Sequence, residues 1–141
     1  MPELTRNYNP NTLEKNKVHI LLVDDEEKLL MIWGTLLRNI GYEVTTVNSS
    51  QGALEIFKNS SLDFDVVVTD HNIPDMPGDQ LAVEIVKINL QIPIVLCSGL
   101  NDLGIKQRML SAGIKEMLFK PFDIEKLIST IEKVRNKNKE M

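Results

Sequence analysis

Val18-His19-Ile20-Leu21-Leu22-Val23-Asp24-Asp25-Glu26-Glu27 is a short apolar run that stops at four consecutive acids. A strand buried on both faces reads as such a nearly continuous run, because neither side of the pleat meets water. The pattern then changes period. Between Glu26 and Ile40, Leu29, Trp33, Leu36, Leu37 and Ile40 fall on one helical face, and Gly41 ends the helix. Tyr42–Val47, rich in Val, Thr and Tyr, reads as a second strand, and Ser50–Asn59 as a helix with Ala53, Leu54 and Phe57 inward. Asp65–Thr69 holds three consecutive valines and reads as a third, buried strand. Gly78–Asn89 is helical, with Leu81, Ile85 and Ile88 in register. Ile92–Cys97 is a fourth strand, Asp102–Ala112 a helix capped by Asp102, and Lys115–Phe119 a fifth strand. Asp123 caps a final helix striped by Ile124, Leu127, Ile128, Ile131 and Val134.

Strand and helix thus alternate five times. Parallel strands with right-handed helical crossovers give an open three-layer α/β/α sandwich. The 141 residues suit one domain, and 43% hydrophobic and 26% charged content is that of an ordinary globular protein. This excludes a disordered, collagen-like or disulfide-stapled chain. One cysteine forms no internal bridge. No apolar run approaches the roughly 20 residues of a membrane span, and Met1–Lys17 lacks the basic-then-apolar order of a secretory signal. A net charge of −4 argues against direct nucleic-acid binding. A cytoplasmic protein or module without membrane insertion is expected. Residues 1–16 read as a flexible leader or linker, 17–136 as the domain, and 137–141 as a polar tail.

In open parallel sheets the working groups gather beyond the carboxyl ends of the strands. Here the first strand ends in Asp24-Asp25, the third in Asp70, the fourth in Ser98-Gly99 and the fifth in Lys120-Pro121. Each has a plain structural reading. The acids could cap a helix, Asp70 and Ser98-Gly99 could make turns, and Lys120 could be a solvated strand end. Taken together they would share one edge and one pocket. Three crowded carboxylates repel unless a cation joins them, and oxygen-only ligands suit a hard ion, Mg²⁺ or else Mn²⁺. Lys120 offers a point charge, and Ser98 a hydroxyl donor, to phosphoryl oxygens. One carboxylate is then left to act as a nucleophile that would become an acyl phosphate.

The stretches Ile20–Glu26, Asp70-His71-Asn72-Ile73-Pro74-Asp75-Met76-Pro77-Gly78, Val95–Gly99 and Lys120-Pro121-Phe122 resemble the receiver domain of two-component response regulators. The resemblance implies a flavodoxin-like fold with strand order 2-1-3-4-5, two helices on one face and three on the other, and a cis Lys120–Pro121 bond. It also implies that Asp70 is phosphorylated from a phosphohistidine on a histidine kinase or phosphotransfer domain. Asp25, Asp70 and the Asn72 carbonyl would ligate Mg²⁺, with Asp24 acting through a water. Lys120 and Ser98 would hold the phosphoryl oxygens. Ser98 and Met117 would carry the switch to the face of the fourth helix, fifth strand and fifth helix, which also suits a homodimer. Methionine stands at Met117 where the family commonly has Tyr or Phe, which puts a ring-flip readout in doubt. Asn72 and Leu100 would tune the phosphate lifetime. Such a chain is a signalling module and not a turnover enzyme. Leu96–Leu100 and Gly113-Ile114 look similar to receivers fused behind histidine kinases, so a free-standing regulator and a hybrid-kinase module both stay open.

Two rivals remain. An aspartate-nucleophile phosphatase normally has Asp-x-Asp after its first strand and needs room for a cap. A flavodoxin-like interaction module without cofactor has no need of an acid cluster with a lysine. Cys97, Trp33 and His19 read as packing residues, and His71 as a loop side chain turned away from the site.

Overall fold

The computed structural model describes residues 17–99 and 103–139. The leader 1–16, Leu100 and the capping Asp102 lie outside them. The strands are β1 (His19–Val23), β2 (Glu43–Val47), β3 (Val66–Asp70), β4 (Ile94–Ser98) and β5 (Glu116–Phe119). The helices are α1 (Glu27–Ile40), α2 (Ser50–Ser60), α3 (Gly78–Ile88), α4 (Leu103–Ser111) and α5 (Ile124–Lys139). The strands form one sheet in the order β2-β1-β3-β4-β5. Every neighbouring pair is parallel. α5 continues into the stretch that reads as a polar tail.

Successive side chains of a strand point to opposite faces, so each apolar run feeds two cores. Leu21, Val23, Val67, Ile94 and Leu96 pack against Phe57 of α2, Leu81 and Ile85 of α3, and Met109 of α4. Ile20, Leu22, Val66, Val68 and Val95 pack against Leu30 and Leu37 of α1 and Leu127, Ile131 and Val134 of α5. Three helices therefore cover one face and two the other. Each fully buried Leu, Ile, Val or Phe contributes about 1.5–3 kcal/mol relative to exposure.

The face of α1 differs from the sequence expectation. Leu30, Gly34 and Leu37 are buried, whereas Leu36 is 38% and Ile40 51% exposed. The cause is Gly34. A Cβ there would lie 3.2 Å from Thr46 Cγ2, so the missing side chain lets α1 settle against β2 on that side and turns Leu36 and Ile40 outward. Ile88, expected inward, is 37% exposed, because α3 gives way to extended chain at Asn89. The Asp123 cap is present, with Oδ1 accepting from Lys126 N at 2.9 Å.

Two hydrogen bonds orient β2. Glu43 N donates to Val18 O and Asp24 N to Val47 O, so positions 43 and 47 face β1 and Val44 faces the free edge of the sheet. Arg38 Nη2 donates to that outward Val44 carbonyl at 2.9 Å.

Two glycines are required for different reasons. Gly41 has φ 126° and closes α1, its N–H donating to Arg38 O and that of Tyr42 to Leu37 O. Gly78 permits a close approach: a Cβ would fall 2.3 Å from the Asp70 carbonyl oxygen and 2.7 Å from Leu96 Cδ1. Gly41→Ala meets no neighbouring atom and should cost about 1 kcal/mol of backbone strain. Gly78→Ala must displace backbone and should cost about 3 kcal/mol or more. Urea unfolding of the two variants measures the difference, and equal losses would contradict the close packing at Gly78.

Candidate functional site

The register brings the strand ends level. Val23 pairs with Thr69, Asp70 with Cys97 and Ser98 with Phe119. Asp24, Asp70, Ser98 and Lys120 therefore leave the sheet side by side at its carboxyl edge. Asp70, Ser98 and Lys120 border an open cleft of about 750 Å³, together with Asp25 and Asn72. The Lys120–Pro121 peptide bond is cis.

One ligand atom from each of Asp24, Asp25 and Asp70 lies within 4.8 Å of the others. Asp70 is 6% exposed. Its Oδ2 accepts from Asn72 N at 3.1 Å. Its Oδ1 faces the Lys120 ammonium at 2.5 Å. That oxygen is buried without an aligned hydrogen bond among the described residues, so the contact is an ion pair. Burial raises the Asp24 pKa above the usual carboxylate range. The Asp70 and Asp25 charges push the same way, against the Glu26 N–H bond and the Lys120 charge. Partial burial alone would lower the pKa of Lys120; its close ion pair with Asp70 and the Asp24 charge together raise it instead. Ser98 is 2% exposed, and its carbonyl accepts from Lys120 N at 2.9 Å. Burial drives the Cys97 thiol up to about 12, which keeps it protonated and suits packing, not redox chemistry.

A hard divalent cation fits this donor set. Three carboxylates converge, and one buried oxygen has only an ammonium against it, so a cation at the open side would meet oxygen ligands alone. Asn72 lies in the loop after β3, where its carbonyl could join them. Met117 is not part of the cluster. It is 5% exposed in the core with Met109 and Ile114, one strand over from Leu96. His71 Nε2 stands 3.6 Å from Asp79 Oδ1 on α3, although His71 also borders the cleft. His19, read as packing, tilts against Phe64 with ring centroids 4.4 Å apart. Trp33 stacks on Phe122 at 5.3 Å. Gly78, quoted in the motif, proves to be a contact of Asp70 itself. Asp75 reaches α2 through a contact that sequence reasoning did not anticipate.

The family model described as the response regulator receiver domain matches residues 20–132. The two-component response regulator ARR10 of Arabidopsis thaliana is 34% identical over 122 residues, which is 86% of this chain and 22% of that protein. ARR12 of the same plant is 36% identical over 110 residues, 78% of this chain and 18% of that protein. The chain thus spans about a fifth of the length of these curated relatives. The crystal structure of a response regulator receiver domain protein from Clostridium thermocellum superposes with a TM-score of 0.81 at 33% identity, covering 86% of this chain and 97% of that one. The chemotaxis response regulator CheY4 of Vibrio cholerae gives 0.78 at 28% identity, covering 84% and 98%. No helix among the described residues is long and apolar enough to cross a membrane.

The raised Asp24 pKa has a stability consequence. Between the model-peptide value of 3.8 and the higher folded value, the native state holds the proton more tightly, so stability falls as pH rises through that window. Above it the ionised carboxylate opposes folding. Asp24→Asn should therefore raise Tm at pH 7 in chelator-treated buffer by a few degrees, with the gain fading below about pH 4. A pH series of thermal melts checks this; an unchanged or lower Tm at pH 7 contradicts it.

Proposed function

The chain belongs to the response regulator receiver domain family, and on that premise we propose that it is a phosphoacceptor module of two-component signalling. Asp70 takes a phosphoryl group from a phosphohistidine on a histidine kinase or phosphotransfer domain. The functional unit is residues 17–136, acting in the cytoplasm as a switch and not as a turnover enzyme. The observation that carries this reading is the Asp70 carboxylate, buried to 6% exposure, paired with Lys120 at 2.5 Å and clustered with Asp24 and Asp25.

The chemistry follows from those groups. An Asp70 oxygen attacks phosphorus, the new O–P bond forms, and the P–N bond to the donor imidazole breaks with its electron pair returning to the ring. Asp25, Asp70 and the Asn72 carbonyl would hold Mg²⁺, with Mn²⁺ second in fitness and Asp24 acting through water. The bound cation supplies positive charge against the three carboxylates and the incoming phosphoryl group. Lys120 exchanges its carboxylate partner for a phosphoryl oxygen, and the Ser98 hydroxyl donates to another. Their movement is what the module can report. Ser98 and Lys120 lie on β4 and the end of β5, next to Met117 and a groove lined by Lys106, Phe119, Phe122 and Lys126. That groove belongs to the α4–β5–α5 face, through which a partner or a second copy would sense the change.

Incubation with acetyl phosphate and Mg²⁺, followed by intact mass, tests the reading. One phosphoryl group should be gained, and the gain should vanish with chelator and in Asp70→Asn. Ser98→Ala should slow labelling about tenfold, the loss of one charge-assisted hydrogen bond. Labelling that persists in Asp70→Asn, or needs no divalent cation, would overturn the assignment.

A further inference from the structure

The loop between β3 and α3 is fastened to a helix that contributes nothing to the cleft. Asp75 Oδ1 accepts from Ser50 N at 3.1 Å and its Oδ2 from Gln51 N at 2.9 Å. In return the Ser50 hydroxyl, fully buried, donates to Met76 O at 2.7 Å. The next amide of α2, Gly52 N, is satisfied locally by Ser49 Oγ at 3.0 Å. A helix leaves its first amides unpaired and carries partial positive charge there. At α2 two of those amides are met by a carboxylate 25 residues away, and the Asp75 pKa is lowered chiefly by the Gln51 N–H bond.

The same short segment also grips the opposite side of the site. Val47 O accepts from Asp24 N at 3.2 Å, and Asn48 Nδ2 donates to Glu27 Oε2 at 3.0 Å. Residues 47–51 are thus an abutment for two loops, one bearing Asp24 and Asp25, the other bearing Asn72. On the Asn72 side the loop is also closed by Gly78 N donating to His71 O at 2.9 Å. Between the His71 carbonyl, held by Gly78, and the Asp75 carboxylate, held by α2, lies the backbone that must present the Asn72 carbonyl.

We propose that Asp75 is a positioning residue for the cation site: by holding the first two amides of α2 it fixes the separation between the Asn72 loop and the Asp24–Asp25 loop. This rests on the reading of Asp70 as phosphoacceptor with a bound divalent cation. Asp75 touches neither the cation nor the phosphoryl group. It acts through Ser50 and Gln51, and its loss frees one wall of the ligand set. Supporting contacts behind a metal ligand commonly change affinity about 10–100-fold.

The test is Mg²⁺ affinity by isothermal titration calorimetry on the folded chain, well below Tm, with the lifetime of the acyl phosphate as a second readout. Asp75→Ala should weaken Mg²⁺ binding about tenfold and alter the lifetime. Asp75→Asn, which keeps one acceptor oxygen without the charge, should recover part of the loss and decides the matter if the alanine variant does not fold. Gly41→Ala, a destabilised variant remote from these loops, should bind Mg²⁺ as the parent does. Parent-like affinity and lifetime in folded Asp75→Ala or Asp75→Asn would overturn the positioning role alone, as would equal weakening in Gly41→Ala. A parent chain that binds no Mg²⁺ would instead overturn the phosphoacceptor reading and this inference with it.

Discussion

Like charges that cannot escape one another set the terms for this molecule. The parallel register delivers Asp24, Asp25 and Asp70 to the same place, and water cannot fully screen a carboxylate that is 6% exposed. Lys120 is the protein's own answer, an ammonium delivered by β5 across the end of β4. It is a partial answer: one positive charge faces three negative ones, and Asp24 keeps a raised pKa despite it. The cluster is therefore strained toward positive charge from outside. The same imbalance makes the site responsive, because neutralising it changes what Lys120 is held by.

The two-sided core explains how such a site can be kept rigid. Each central strand is locked from above and below by side chains of alternating direction. The strand ends are consequently fixed to the register of the ladder, and only the loops beyond them need further restraint. That restraint comes from outside the cleft, where Asp75, Ser50 and Asn48 join three loops into one frame. Gly78 contributes by what it lacks, since α3 starts directly over the Asp70 carbonyl.

Much of this was legible in the residues, for physical reasons. Strands buried on both faces leave continuous apolar runs, so the alternation and the polar group ending each run could be read directly. Strand order could not be read from periodicity; it came with the resemblance carried by the acid, Asp70, Ser98 and Lys120 stretches. The inward face of α1 was misread because Leu36, Ile40, Met31 and Ile32 make that helix apolar on several sides, and the deciding residue, Gly34, has no side chain to signal its role. Asp75 was invisible for the opposite reason. A carboxylate in a Pro-flanked loop looks solvated, and nothing local indicates that its partners are the amides of residues 50 and 51.

The outer flank of β2 has a consequence beyond signalling. A strand at the border of a sheet offers spare acceptors on which a foreign chain can align and grow an aggregate. Arg38 already occupies the outward carbonyl of Val44, and it brings a cation to a strand whose residues after Glu43 are only Val and Thr. A would-be sixth strand must first evict a guanidinium. The border thereby acts as a stopper against edge-to-edge polymerisation, placed one helical turn after the glycine that lets α1 lie so near.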